Sequence, residues 1–326
     1  MGEFGISSKL ICSERLIKTI LVLSITTSLL FSCNSYSNYE GITFIASPGK
    51  PPAQSIVWSP TDFNEVLVTS TDLNHHDNQI LILNTRKLEK TILQKTDGGT
   101  LFGLDWSPDG KRILFMSTSG FIGEKGKTFT MSASGDDKEV LIEEAIDATW
   151  SPDGKTVAFF SFGREIGTNL REINLHLMNL INSEDVVVLT LESDNSLGLS
   201  WSPDGEKLVF ALGSLKSSNL FVLDIATREI IQITKNGSGD SPVWSPHGDA
   251  IAYHKYSKDG LVSSLSLIRP DGSCEVEIPD LDRVTSPTWL PDGKTLAFVG
   301  LDGIYTIDLK KVFVGDIYQR ECPKIR

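Results

Sequence analysis

The stretch Trp150-Ser151-Pro152-Asp153-Gly154-Lys155-Thr156-Val157-Ala158-Phe159-Phe160 decides the fold. It reads as a tight turn that launches a strand. Pro presets φ for the second position of a turn, Asp accepts hydrogen bonds from nearby backbone N–H groups, and Gly takes the left-handed position. The β-branched and aromatic run that follows favours an extended chain. The Trp-Ser-Pro-Asp-Gly phrase recurs intact at Trp106 and Trp201, and with changes at Trp58 (WSPTD), Trp244 (WSPHG) and Trp289 (WLPDG). The spacings are 48, 44, 51, 43 and 45 residues, and all six tryptophans of the chain are used.

Working outward, each unit repeats one grammar. A short run precedes the Trp, as in 147–150 and 241–244, and a β-rich run follows the turn (113–117, 156–160, 207–211, 250–254, 295–299). A third run comes after a variable loop (79–83, 173–178, 219–224, 265–268, 303–308), and a fourth closes the unit (91–94, 139–143, 185–190, 229–234, 275–278). Four short strands per ~45 residues is the period of a propeller blade. The fold class is therefore all-β, a six-bladed β-propeller of four-stranded antiparallel blades. The last unit lacks an obvious fourth strand. Ile42-Thr43-Phe44-Ile45-Ala46 is expected to fill that place, with Val312-Phe313-Val314 as the alternative. Closure matters because an open array leaves unpaired strand edges.

The remaining composition is ordinary. Of 326 residues 22% are charged and 40% hydrophobic, with a formal net charge of −12. This excludes a largely disordered chain and a multi-pass membrane protein. The acidic balance speaks against nucleic acid as a partner. Residues 1–33 read differently. Lys9, Arg15 and Lys18 precede an uncharged run over 19–32, which ends Leu30-Phe31-Ser32-Cys33. A positive segment, a short apolar segment and a Cys after a small residue form the pattern of a lipoprotein signal. The alternative is an uncleaved anchor or a buried helix. The expected organisation is 1–32 signal peptide, 33–41 tether lipidated on Cys33, 42–311 propeller and 312–326 tail. Removal of 1–32 leaves a net charge near −13.

These repeats resemble the TolB-type propeller repeat. The match is carried by Trp150 to Lys155, then Val157-Ala158-Phe159, and elsewhere Leu220-Phe221-Val222-Leu223-Asp224 and Ile231-Gln232-Ile233-Thr234, and it extends over about 42–309. It resembles a lipoprotein form without the α/β domain that precedes the propeller in the family's namesake. The resemblance implies a non-enzymatic protein of the bacterial cell envelope, facing periplasm or exterior, that binds another envelope protein or lipoprotein and needs no cofactor. Peptidases with related propellers carry a hydrolase domain with a G-x-S-x-G elbow, a motif this chain lacks.

The Trp, Pro, Asp and Gly of each unit are assigned to packing and turns, so a site must come from loops at one end of the ring. The loops between second and third strands offer His75, His76, Asp77, Lys125, Arg164, Lys216, His254, Lys255 and Tyr256, a comparatively basic set. The loops that link blades offer Asp97, Asp194, Asp240, Asp282 and Arg283. Adjacent His75 and His76 chelate one ion poorly, so no metal site is assigned. A polysaccharide-binding or polysaccharide-cleaving propeller, resting on His75, His76, His254 and Arg164, is the alternative function. Cys274 and Cys322 are expected at the same end of neighbouring blades, where a disulfide is feasible. The ring is expected to be monomeric.

Overall fold

The computed structural model describes residues 41–47, 53–72, 77–97, 99–118, 126–167, 170–194, 196–214, 217–235, 237, 239–256, 263–278, 281 and 283–312. The first strand, β1 (Ile42–Ala46), precedes six sequential groups. Blade 1 comprises β2 (Ala53–Trp58), β3 (Glu65–Asp72), β4 (Asp77–Asn84) and β5 (Glu89–Asp97). Blade 2 holds β6 (Thr100–Trp106), β7 (Arg112–Thr118), β8 (Gly126–Ser132) and β9 (Glu139–Ala145). Blade 3 holds β10 (Asp147–Trp150), β11 (Thr156–Glu165), β12 (Arg171–Asn179) and β13 (Asp185–Ser193). Blade 4 is β14 (Ser196–Trp201), β15 (Lys207–Ser214), β16 (Ser217–Asp224) and β17 (Ile230–Gln232). Blade 5 is β18 (Gly239–Trp244), β19 (Ile251–Tyr256), β20 (Ser263–Ile268) and β21 (Glu275–Glu277). Blade 6 supplies β22 (Thr285–Trp289), β23 (Thr295–Val299) and β24 (Ile304–Asp308), followed by a single helical turn, α1 (Leu309–Val312).

Every sheet is antiparallel, and the sixth has the order β1-β24-β23-β22. The N-terminal strand thus completes the last blade. Ile42, Thr43 and Phe44 pair with Ile307, Thr306 and Tyr305, and Phe44 lies edge-on to the Tyr305 ring with centroids 5.2 Å apart. Val312, part of the alternative closing run, is helical instead; 313–314 lie outside the described residues.

The signature turns repeat one hydrogen-bonded frame. The serine hydroxyl donates to the aspartate at 2.7 Å (Ser107–Asp109), 2.6 Å (Ser151–Asp153) and 2.5 Å (Ser202–Asp204). Gly154 N–H donates back to the Ser151 carbonyl at 2.9 Å, and Gly154 sits at φ 70°. In the WSPHG variant the partner shifts along the chain, and Ser245 donates to Asp249 at 2.8 Å. Five of the tryptophans are buried, and Trp201 is partly so. One Trp belongs to each of six apolar clusters, and each cluster spans one boundary between adjacent blades. Indole N–H groups also cross boundaries: Trp106, Trp201 and Trp289 donate to the carbonyls of Val57, Thr149 and Val243 at 3.3, 3.4 and 3.2 Å. The core is therefore distributed between blades, which is how repeats that cannot bury a face alone become stable.

Candidate binding site at the channel mouth

The first strands of successive blades touch one another around the ring and line its channel. Their outward backbone groups form an edge that needs partners. Side chains supply several. Asp105 of blade 2 accepts from Thr149 Oγ1 and Trp150 N of blade 3, both at 2.8 Å. Asp147 of blade 3 accepts from Ala148 N at 3.0 Å and from Gly198 N of blade 4. Ser200 accepts from Trp244 N at 3.1 Å, and Ser286 accepts from Ile56 N at 3.0 Å across the ring closure. Burial pushes the Asp105 carboxyl up to about 6 against the pull of these donors. It pushes Asp147 up to about 7, with the nearby Asp105 charge adding to the rise.

Where these strands begin, blade 5 carries the most developed polar cluster. β18 bulges between Asp240 and Val243, with Ser241 at φ 49°. This holds Asp240 directly opposite His254 on β19. Both side chains are buried, and His254 Nδ1 lies 3.0 Å from Asp240 Oδ1. A carboxylate can only accept here, so Nδ1 carries a proton and donates it to Asp240. His254 Nε2 is buried and has no hydrogen-bond partner among the described residues. The Tyr256 ring leans over the imidazole with centroids 4.6 Å apart. Its hydroxyl also bonds Asp240, and burial together with that charge drives the phenol well above its ordinary range.

The structure separates the other expected site residues. β19 runs to Tyr256, so His254, Lys255 and Tyr256 are strand residues and not loop residues. Alternation sends Lys255 to the opposite face, where it pairs with Glu275 and lies 3.6 Å from Glu277. Arg164 lies near the end of β11 and pairs with Glu172 at 3.1 Å. Arg164 and Lys255 are thus each matched by carboxylates. Asp77 opens β4. His75, His76, Lys125 and Lys216 lie outside the described residues, as do Cys33 and Cys322. Among the described residues no three His, Cys, Asp or Glu side chains converge as metal ligands. Cys274, in the turn between β20 and β21, is disulfide-bonded, and its partner lies outside the described residues.

Sequence reasoning placed Asp240 and His254 in different loop groups and missed their union. It also missed the channel-wall pair Asp105 and Asp147. The usable signal for the latter was an acidic residue one or three places before a repeat Trp, where a lining strand is otherwise apolar or neutral.

Comparison with known proteins supports the architecture. A family model described as the TolB beta propeller domain matches residues 142–261. The Tol-Pal system protein TolB of Francisella tularensis subsp. holarctica is 28% identical over 192 residues, covering 57% of this chain and 43% of that protein. The crystal structure of TolB from Acinetobacter baumannii superimposes with a TM-score of 0.60 at 21% identity, covering 74% of this chain and 57% of that one. An oligogalacturonate lyase in complex with manganese shares the fold with a TM-score of 0.57 at 14% identity, covering 82% of this chain and 78% of that one. The matched segments span less than half the length of these curated relatives. Repeat phrase, strand order and interblade tryptophans agree with these matches, and the chain is similar to the TolB beta propeller domain over residues 142–261.

Proposed function

We propose that this ring is a binding protein of the bacterial cell envelope, tethered by lipid on Cys33 and engaging another envelope protein at the channel mouth of blade 5. The observation that carries this reading is the 192-residue similarity to the Tol-Pal system protein TolB. The buried Asp240–His254–Tyr256 cluster gives that end of the ring a fixed polar anchor. The test is crosslinking in cells followed by affinity purification of the full-length chain from solubilised envelopes, with His254→Ala in parallel. An envelope protein recovered with the unmodified ring and lost with the variant is the expected result. Recovery of no envelope protein overturns the proposal. The polysaccharide reading has one described residue in a built cluster, His254, and retention of an acidic polysaccharide in place of a protein would establish it.

A further inference from the structure

A second polar array lies on the broad face of blade 3, away from the channel. Ser161 on β11, His176 on β12 and Asp185 on β13 form a continuous hydrogen-bonded line across three strands. Ser161 Oγ is 2.8 Å from His176 Nε2, and His176 Nδ1 is 3.0 and 3.1 Å from the two Asp185 oxygens. The register explains the line. His176 pairs with Phe159 and Val187, so Ser161 and Asp185 are its diagonal neighbours on one face. The imidazole is stacked on Phe159 at 4.4 Å with planes 15° apart, which fixes the ring's tilt. Its side chain is 13% exposed, while that of Asp185 is 40% exposed and Ser161 is partly exposed. Asn174 stands directly opposite Ser161 on the same face. Its Oδ1 accepts from Thr190 Oγ1 at 2.8 Å, and its Nδ2 lies beside Gly163, where a Cβ would come within 2.9 Å.

We propose that Ser161, His176 and Asp185 form a nucleophilic acyl-transfer site for small esters. Such a site is recognised by geometry and roles rather than by chain order: a nucleophile in reach of a base, and the base oriented by a third group. Asp185 accepts from Nδ1–H, which leaves the Nε2 lone pair facing the serine hydroxyl. Ser161 Oγ attacks the ester carbonyl carbon and forms a C–O bond, while its proton passes to Nε2. The imidazolium returns that proton to the leaving alkoxide as the ester C–O bond breaks. Water then repeats the sequence on the acyl-serine, releasing the carboxylic acid and restoring the hydroxyl. Asn174 Nδ2 is the donor available to the developing oxyanion. That is one side-chain donor where dedicated hydrolases use two. This limits the site to reactive esters, and partial burial limits it to small ones.

The proposal goes beyond envelope binding and stands on a different face, so the two fail separately. The full-length chain is treated with an alkyl fluorophosphonate and mapped by mass spectrometry. One adduct is expected, on Ser161, with a rate that rises with pH as an imidazole loses its proton. Ser161→Ala removes the adduct. His176→Asn, which keeps a hydrogen-bonding side chain, slows labelling about 100-fold, the scale of a lost general base. Absence of an adduct on Ser161, or a labelling rate unchanged in His176→Asn, overturns the proposal. Should His176→Asn not fold, the pH profile of the unmodified chain decides: a profile that rises and levels with one ionisation supports the site, and one that follows hydroxide concentration alone overturns it.

Discussion

At the scale of single residues, the channel wall carries a titration with a definite sign. Burial raises Asp105 to about 6 and Asp147 to about 7. An acid whose folded-state pKa exceeds its unfolded value, ~3.9 for Asp, stabilises the fold fully below the unfolded value. That contribution is lost as pH rises through the folded value. The turn aspartates behave oppositely. Serine hydroxyl and backbone N–H donors hold Asp109, Asp153 and Asp204 below the usual range, so their contribution is lost only in stronger acid. The two sets therefore act in different windows. Melting curves between about pH 5 and pH 8 are expected to show Tm falling as pH rises, with Asp147→Asn flattening the upper part of that slope. A slope unchanged in Asp147→Asn places its origin in other groups. The pair also shows why wall residues are hard to read in sequence. The acidic residue one place before Trp106 marks a lining position, but its bond to the backbone of the next blade depends on how the blades pack.

At the scale of elements, the closing strand was legible and its fit was not. Ile42–Ala46 has the composition of a strand and lies where the last unit needs one, and β1 occupies those residues. The close approach that seats it depends on Gly303, which sequence alone does not mark. A Cβ on Gly303 would lie 2.5 Å from the Ala46 carbonyl oxygen and 2.7 Å from the Phe44 ring. Backbone cannot yield as a flexible side chain does, so Gly303→Ala is expected to push β1 away and cost about 1–3 kcal/mol. Phe44→Ala is expected to cost about 2 kcal/mol, less than a full core deletion, because Phe44 is only partly buried. Denaturant titrations measure both, and a Gly303→Ala chain as stable as its parent would show that β1 relaxes freely. Alternation also decided which site residues could meet. His254 and Lys255 look like one polar pair in sequence, yet the strand turns them to opposite faces. Ser161, His176 and Asp185 look unrelated, because only the register of three strands brings them into line.

At the scale of the whole molecule, the N-terminal strand closes the ring in blade 6. The repeat count made the six-bladed ring readable, since each Trp marks one blade boundary and none is left over. The N-terminal strand holds blade 6 from one side through β24. From the other side, the disulfide at Cys274 starts in the last hairpin of blade 5. The cysteines beyond the described residues are Cys12, Cys33 and Cys322. If Cys12 leaves with the signal and Cys33 carries lipid, Cys322 is the partner, and the closed loop contains all of β22, β23 and β24. A loop of that length constrains the unfolded chain by about 4 kcal/mol in the chain-entropy account. Cys322→Ser is therefore expected to expose one thiol to an alkylating reagent under native, non-reducing conditions and to lower Tm, whereas the unmodified mature chain exposes none. The same material tests the lipid. Cys33→Ser is expected to move the chain from the membrane fraction to the aqueous one without freeing a thiol at Cys274. A Cys33→Ser chain that exposes a thiol at Cys274 while remaining in the membrane would reverse both assignments. Cys33 would then be the structural partner, and closure of the ring would run through the N-terminus twice.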